Sequence, residues 1–490
     1  MRTTLNYRAI VKMMGVLLVV VGLCFSLPIV VALIYGEYFE AKCFAAVMIP
    51  SVVAGFILFK VFNPADLKTK ARDGYIIVAL CWLVASFIGA LPLFISGAIP
   101  KLVDAFFEIC SGFSTTGASI IPNVELMPKS VLIWRSFTHW LGGMGIIVFA
   151  AALIPSIGIG GQVVASAETP GPVLTKISAR FSDTAKNLYT IYIVFTLVEM
   201  VLLMLGGMNL FDSAIHSFGT AGTGGFSDYA NSVGHFKSPY IQWVIIIFMI
   251  LCGINFNLYF YILKGKVKDF FKDEELRLYL GVIATFTILI TINLMTQGDY
   301  VSPVKCFRDS AFQVSSIITT TGYATADYDV WPTFSKILIM LIMISGACSS
   351  STGGGVKFIR ILVAIKFVKR GFFMKLHPNR VGDITVDGRG VPQSVVTNIV
   401  NFIFFYVAVL MAGTLIISFD GNDIVTNFSA VLTCLSNVGP GFNLVGPTMN
   451  FSLFSDFSTF ILSLLMIAGR LELFTFFMIF SRHYWNSNRV

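Results

Sequence analysis

Ten apolar runs, most of them close to 20 residues long, constrain this chain more than any other feature of its sequence. They lie near residues 11–34, 44–62, 74–97, 131–154, 189–208, 241–263, 278–296, 335–368, 394–418 and 457–480. A helix of about 20 apolar residues spans the hydrocarbon core of a bilayer. Only 12% of the 490 residues are charged, whereas globular domains average about a quarter. The sequence therefore predicts an all-α polytopic membrane protein.

Four short glycine-centred segments lie between these runs, at similar intervals along the chain. Their central glycines are Gly117, Gly224, Gly322 and Gly439, separated by 107, 98 and 117 residues. A stretch too short to cross a bilayer precedes each glycine, at 104–114, 212–222, 308–320 and 426–437, and an apolar run follows each. We expect each short stretch to be a helix whose first residue is a capping carboxylate or amide. The capping residues predicted in this way are Asp104, Asp212, Asp309 and Asn427.

The pattern predicts a leading two-helix hairpin and four repeats, each made of a helix, a pore helix, a filter segment and a second helix around one central pore. The predicted boundaries are 1–70, 71–170, 171–270, 271–385 and 386–490. Basic residues cluster on one side of this ten-span arrangement, at 2–12, 60–72, 176–186, 264–277, 357–389 and 482–489. The positive-inside rule places that side in the cytoplasm. We therefore expect both termini inside and the glycine segments entering from outside.

The glycine segments have the composition that a filter for a monovalent cation needs. Irregular backbone is tolerated at membrane depth only where it is buried in protein or lines a cavity. A ring of backbone carbonyls can replace the hydration water of a cation, and glycine permits the positive φ angles that such a backbone requires. The segments contain no carboxylate, which argues against a divalent-selective pore. One such segment would be indistinguishable from a loop turn, whereas four at equivalent positions favour a filter.

The eighth apolar run cannot form one continuous helix, because glycines and hydroxyl residues interrupt it at 345–355, a segment we call the intramembrane loop. Val356-Lys357 follows its glycines, which excludes a nucleotide-binding P-loop. Arg470 lies within the tenth run, where a charge is by default a candidate for function. The alternatives for Arg470 are a structural pair with Glu472 and a side chain that reaches the membrane surface. We expect Arg470 and the loop to form a gate, with Gly346, Ser349, Ser350, Ser351, Thr352, Gly353, Gly354 and Gly355 as the loop's gating residues.

Several stretches together resemble the Trk/Ktr/HKT superfamily of potassium transporters, and most closely its TrkH-type membrane subunits. Besides the four glycine segments, they are RSFTHWLGGMG at 135–145, GACSSSTGGGVK at 346–357, NVGPG at 437–441 and GRLELFT at 469–475. The resemblance covers nearly the whole chain and includes the leading hairpin.

This resemblance implies potassium uptake across a bacterial inner membrane, with K+ as the transported ion and no covalently bound cofactor. It also implies a homodimer, gating by a TrkA-type cytoplasmic nucleotide-binding subunit, and an arginine at 470 that meets the intramembrane loop. Gly117 favours potassium, since a serine at that position is associated with sodium in this family. The residues assigned to the ion filter are Thr115, Thr116, Gly117, Gly222, Thr223, Gly224, Thr320, Thr321, Gly322, Asn437, Val438 and Gly439.

Two other functions stay open at this point. A sodium- or proton-coupled cation symporter would show interrupted helices in two inverted halves, whereas here one run is interrupted and the repeats share one orientation. A membrane enzyme would need a serine–histidine or metal constellation, and His139, the histidine at membrane depth, has no evident partner in the sequence. The glycine segments are also unequal, because the second contains Ala221-Gly222 and the fourth contains Asn437-Val438.

Overall fold

The computed structural model describes residues 5–62, 71–145, 181–297, 300, 302–377 and 382–480, and these are predominantly helical. Six helices within these residues are long and apolar enough to cross a membrane, and a seventh candidate is a bent pair. The six are Tyr7–Tyr35, Tyr38–Val61, Asp73–Ile95, Asn187–Leu205, Glu274–Gln297 and Gln393–Asp420. The all-α polytopic fold predicted from the sequence is confirmed. The predicted end of the fourth run, beyond residue 145, lies outside the described residues.

The leading hairpin consists of helices that approach each other closely through small residues. Its helices are Tyr7–Cys24, Ser26–Tyr35 and Tyr38–Val61. A Cβ atom on Gly15 would lie 2.8 Å from the carbonyl oxygen of Gly55, so only glycine permits this backbone contact. Glu37, at the tip of the hairpin, accepts hydrogen bonds from the backbone amides of Lys129 (2.6 Å) and Ser130 (2.9 Å). The hairpin is thereby joined to the first repeat.

The same order of helices recurs in each repeat: a long helix, a pore helix of 12 to 16 residues, and a shorter helix. The long helices are Ala71–Ile95, Phe181–Leu205, Glu274–Gln297 and Gln393–Ile417. The pore helices are Leu102–Phe113, Leu210–Gly222, Pro303–Ile318 and Ile424–Ser436. The shorter helices are Lys129–Gly143, Pro239–Gly253, Thr333–Ile344 and Asp456–Arg470. The four-repeat arrangement expected from the glycine spacing is therefore present.

The pore helices form the interior, and the long helices surround them. Pore helix one is buried at every position from Ala105 to Phe113, although these residues include a glutamate and a serine. By contrast, only 22% of the apolar window of Tyr38–Val61 is buried, and side chains such as Phe56 are exposed where the surrounding medium is lipid. The backbone that follows the pore helices is therefore enclosed by protein, which is the condition for irregular structure at membrane depth.

The pore helices begin further upstream than predicted, and the four capping assignments are wrong. Asp104, Asp212, Asp309 and Asn427 all lie inside their helices. The observed capping side chains are those of Asn209, Ser302 and Asp423, whereas Lys101 precedes pore helix one without a side-chain cap. Asp104 and Asp212 still lie in a first turn, where a carboxylate interacts favourably with the helix dipole.

Two runs predicted as continuous spans are broken. The sixth bends by 90° after Gly253 and continues through Phe256–Leu258 and Tyr259–Leu263. The tenth ends at Arg470 and resumes at Leu473–Phe477 and Met478–Phe480, with Glu472 at a φ of 62°. The eighth is interrupted as predicted and continues as Phe358–Leu376. The breaks of the sixth and tenth runs escape hydropathy because the apolar runs continue on both sides of each break.

A short hairpin follows the last of these helices. Its strands, Thr385–Val386 and Arg389–Gly390, pair antiparallel. It contacts the first turn of Glu274–Gln297, because Glu274 and Asp387 exchange hydrogen bonds of 2.9 and 3.0 Å between backbone amides and carboxylates.

Candidate ion filter and gate

The four backbone segments that follow the pore helices share one conformation. In each, a residue other than glycine takes the left-handed conformation one or two residues after the helix ends, and a glycine with positive φ follows two residues later. The first set is Thr115, Thr223, Thr320 and Asn437, with φ of 58°, 54°, 58° and 56°. The second set is Gly117, Gly225, Gly322 and Gly439, with φ of 79°, 79°, 84° and 103°. Left-handed threonine costs about 1–2 kcal/mol, so three threonines in this conformation, with Asn437 at the fourth equivalent position, indicate a constrained structure.

Backbone hydrogen bonds fix which residues are equivalent. The amide between the two positive-φ residues donates to a carbonyl five residues earlier in its pore helix, at 2.8 to 2.9 Å. These donor and acceptor pairs are Thr116 and Ser111, Gly224 and Gly219, Thr321 and Ser316, and Val438 and Thr433.

The equivalence corrects the second segment by one residue. Gly225, and not Gly224, corresponds to Gly117, while Gly224 corresponds to Thr116. Gly222, assigned to the filter from the sequence, is the last residue of pore helix two. The sequence misled because Thr223-Gly224 copies the Thr-Gly pair of the first and third segments. The four equivalent segments, called filter segments one to four below, are 115–117, 223–225, 320–322 and 437–439.

The four filter segments form a closed ring. A Cβ atom on the glycine of each segment would overlap or crowd a carbonyl oxygen of the next segment in chain order, and the fourth meets the first. These glycine and carbonyl pairs are Gly117 with Gly224, Gly225 with Thr321, Gly322 with Val438, and Gly439 with Thr116. The four carbonyls belong to the equivalent residues of their segments. The segments therefore surround one axis in the order one, two, three, four, and each glycine leaves room for its neighbour's carbonyl.

One cavity of about 120 Å³ opens at the far end of the ring, and all four ring glycines line it. The 445–451 stretch, which follows filter segment four, forms part of its wall. The pore helices end at the opposite face of the ring. Their C-terminal carbonyls place partial negative charge there, which attracts a cation.

Hydroxyl and amide side chains brace the ring unequally. In filter segment one, the Thr116 hydroxyl contacts Ser114 Oγ at 2.7 Å, and in segment three the Thr321 hydroxyl contacts Thr319 Oγ1 at 2.8 Å. In segment four, Asn437 Nδ2 donates to Thr116 Oγ1 at 3.0 Å and so ties the last segment to the first. The inequality predicted for the second and fourth segments is therefore a real feature of the ring's surroundings.

Three polar residues behind the ring were not among the filter residues assigned from the sequence. Arg135 and Glu108 form a fully buried ion pair of 2.6 Å, and Glu108 also accepts from the backbone amide of Ile120 at 2.8 Å. His139 Nδ1 donates to Gly112 O at 2.8 Å, which leaves Nε2 to accept from Phe226 N at 3.3 Å. Glu108 and Arg135 thus hold the backbone after filter segment one, and His139 joins segment two to pore helix one.

The intramembrane loop lies against the ring on the side where the pore helices end. Gly354 N donates to Thr320 Oγ1 at 2.7 Å, and a Cβ atom on Gly353 would lie 2.9 Å from Thr319 O. The loop is closed at its base by a bridge between Ser345 and Val356. Its glycines are needed for this close approach to filter segments three and four.

The loop is also held by the bend of the sixth run. Cys348 N donates to Gly253 O at 3.0 Å, and Phe256 N donates to Ser350 O at 3.1 Å. Asn255, which lies at the bend, donates to Ser349 Oγ at 3.3 Å. The break in that run and the loop therefore form one structure.

Arg470 joins the loop to the first repeat. Its guanidinium donates to the carbonyl of Thr352 at 2.6 Å, and to the carbonyls of Gly142 and Gly143 at 2.7 Å each. Arg470 is buried, at 7% exposure, and is the last residue of its helix rather than a mid-helix residue as expected. Glu472 forms an ion pair of 2.5 Å with Arg360. Arg470 therefore bonds the loop directly, and Glu472 pairs with Arg360.

A second buried basic side chain contacts the loop. Lys357 is 1% exposed and donates from Nζ to the carbonyl of Gly353. From the sequence alone, Lys357 served only to exclude a P-loop. A lysine two residues after a glycine run at membrane depth was the feature that could have identified it.

A fourfold ring of pore helices and glycine segments, covered at one face by a loop and buried basic side chains, defines a polytopic membrane protein of the pore-loop class. Comparison with known proteins gives the family. The TrkH family model, described as a cation transport protein, matches residues 40–487. The Trk system potassium uptake proteins TrkH of Salmonella typhimurium and Escherichia coli K12 are each 36% identical over 485 residues, which is 98% of this chain and 100% of those proteins. The chain belongs to the TrkH family.

A solved structure agrees with this assignment. The crystal structure of the potassium transporter TrkH from Vibrio parahaemolyticus matches with a TM-score of 0.87 and 33% identity, over 98% of this chain and 100% of that one. The Trk system potassium uptake protein TrkG of Escherichia coli K12 is 32% identical over 99% of this chain. The family resemblance stated from the motifs is confirmed.

Proposed function

We propose that this chain takes up potassium across the plasma membrane, and that K+ passes through the ring of filter segments. The observation that carries the proposal is the fourfold contact between each ring glycine and the neighbouring carbonyl. A ring of carbonyl oxygens can replace the hydration shell of a cation without introducing a net charge. The relatives named as potassium uptake proteins support K+ as the ion.

The residues that would contact the ion are those of the four filter segments, with Gly225 in place of Gly222. Filter segments one to four contain no carboxylate, which favours a monovalent ion over a divalent one. The C-terminal ends of the pore helices add negative potential at one face of the ring. Both features suit a dehydrated K+ that must bind and leave rapidly.

The intramembrane loop and Arg470 form the gate of this proposal. The loop lies against filter segments three and four, so an ion that leaves the ring on that side meets it. The buried guanidinium of Arg470 adds a positive charge that opposes a cation. Because Arg470 bonds both the loop and the end of Lys129–Gly143, the loop is released only when these hydrogen bonds break.

We further infer that the loop side of the ring faces the cytoplasm, as the distribution of basic residues favours. On that side a TrkA-type nucleotide-binding subunit would act on the loop, and the protein would work as a homodimer. The shared Trk system name of the relatives supports the first of these partners.

The test is uptake of rubidium, a tracer for potassium, by the purified chain in liposomes, with empty liposomes as the control. We expect uptake driven by a rubidium gradient alone, strong competition by K+, weak competition by Na+, and a change in rate when the cytoplasmic partner is added. Uptake that needs an imposed sodium or proton gradient would instead establish the symporter alternative and overturn the channel-like mechanism.

A further inference from the structure

Glu275 is a buried carboxylate at the start of Glu274–Gln297, at 3% exposure, and its hydrogen bonds go to the intramembrane loop. Its Oε1 atom accepts from the backbone amides of Ser349 (2.6 Å) and Ile359 (2.9 Å). Its Oε2 atom accepts from the Ser349 hydroxyl at 2.7 Å. One side chain therefore bonds the loop and also the first turn of Phe358–Leu376, the helix that the loop leads into.

These contacts give Glu275 control over the position of the loop. Ser349 belongs to the same loop as Gly353 and Gly354, which touch the ring, so its fixation limits how far the loop can move away from filter segments three and four. Three hydrogen bonds converge on this one buried carboxylate, and a buried polar group that loses its partners carries a desolvation penalty. Glycine-rich backbone has little order of its own, so an anchor of this kind determines its conformation.

We propose that Glu275 is a positioning residue of the gate, which holds the intramembrane loop against the ring. This inference rests on the gate assigned above. Arg470 holds the loop from the first repeat, and Glu275 holds it from the third repeat's long helix. Loss of either anchor therefore weakens the hold on the loop.

Glu274 connects the same helix turn to the short hairpin at 385–390. Its carboxylate accepts from the backbone amide of Asp387 at 3.0 Å, and Lys366 donates both to Glu274 and, at 2.6 Å, to Thr385 O. Glu274 and Glu275 are adjacent, so a displacement of the hairpin pulls on the turn that carries the loop anchor.

Cys348 offers a readout of loop position that does not depend on transport. It is a free thiol within the loop, next to Ser349, and it is fully buried. We expect Glu275→Gln to increase the rate at which a maleimide labels Cys348, followed by mass spectrometry, by about tenfold, which corresponds to the loss of ~1.4 kcal/mol of anchoring. Basal rubidium uptake without a partner should rise by a similar factor, and Glu275→Asp should restore part of both.

Glu37 provides a matched control. It also accepts two backbone amides and a serine hydroxyl at the start of a helix, in its case from Lys129 and Ser130, and it makes these contacts far from the loop. Glu37→Gln should leave Cys348 labelling and basal uptake unchanged. If Glu275→Gln folds poorly, Ser349→Ala removes one bond to the same carboxylate and should give the same changes at smaller amplitude.

The two proposals fail in different ways. Cys348 labelling at the wild-type rate in both Glu275→Gln and Ser349→Ala would overturn the anchor, whatever the transport rate. Faster labelling with unchanged uptake would support the anchor and show that the loop is not the gate. A labelling increase of the same size in Glu37→Gln would reduce the effect to general loosening and would overturn the inference.

Discussion

The ring and the intramembrane loop touch each other but are built in opposite ways. The ring is a repeated structure, in which four segments with one backbone conformation meet through glycines and carbonyls. The loop occurs in one repeat, and side chains from elsewhere hold it, among them Arg470 and Glu275. Repetition produces a symmetric set of carbonyls, whereas the loop is a single element that rests against that set.

The difference also separates the energies involved. The ring depends on backbone geometry, where a methyl group in the wrong place overlaps a carbonyl. The loop depends on hydrogen bonds to charged groups, each worth about 1.5–3 kcal/mol, which can be broken one at a time. Ring substitutions should therefore change which ion passes, and loop substitutions should change how often any ion passes.

The largest effect is expected at Arg470. Arg470→Ala removes three hydrogen bonds to carbonyls and a buried positive charge, so basal rubidium uptake without a partner should rise by about 30-fold or more. Arg470→Lys keeps the charge but loses the fork, so an intermediate rise would assign part of the closure to hydrogen bonding. Reduced uptake in well-folded Arg470→Ala protein would contradict the gate and leave the ring unaffected.

Sequence reasoning picked out the intramembrane loop and Arg470, but not how they fit together. The glycine run and the charge at 470 are visible in one dimension, because both are unusual in an apolar span. The anchor at Glu275 is not, because 74 residues separate it from Ser349. The breaks after Gly253 and Arg470 are equally hidden, since hydropathy continues across them.

The sequence predicted four segments in the ring but placed the second of them one residue too early. Glycines at regular spacing after short helices indicated four equivalent segments, and the structure has them. The predicted register of the second segment was wrong because Gly224 and Gly225 are adjacent and cannot be told apart in the sequence. Only the positive φ of Gly225 and its contact with a neighbouring carbonyl distinguish them. The helix caps were predicted wrongly for a related reason. Three of the four pore helices do begin with a short polar capping residue, but other polar residues nearby were chosen instead.

The next effect tests whether the ring is fourfold. Gly117→Ser and Gly225→Ser each place a side chain where a neighbouring carbonyl lies, so both should lower the K+/Na+ permeability ratio by about tenfold, or ~1.4 kcal/mol. The ratio is measured from sodium competition in the rubidium assay. Gly97→Ser is the control, since Gly97 also has positive φ (74°) but nothing lies within 4 Å of its Cβ position. An unchanged ratio in Gly225→Ser alone would return the register to Gly224.

The smallest effect concerns a feature that the second repeat adds beside the ring. Asp228 follows filter segment two, and burial together with the negative charge of Asp212 raises its pKa from 3.8 to about 7. Lys129 Nζ, at 3.9 Å from Asp228 Oδ2, offsets this only in part. A raised carboxyl pKa means that the folded protein holds the proton more tightly than the unfolded chain does. The contribution to stability is therefore complete below pH 3.8, is lost as the pH rises to 7, and stays lost above it.

Asp228→Asn should remove this pH dependence, because an amide is neutral throughout. We expect the unfolding temperature of the detergent-solubilised wild-type protein to fall by about 2 °C more than that of Asp228→Asn between pH 5 and pH 8. Parallel pH profiles for the two proteins would show that the carboxyl of Asp228 is ionised in the folded state at both pH values. A smaller fall in the variant would instead mean that Asp228 loses its proton in the folded protein between pH 5 and pH 8. The surroundings of the ring would then differ between repeats in their response to pH, although the backbone of the ring does not.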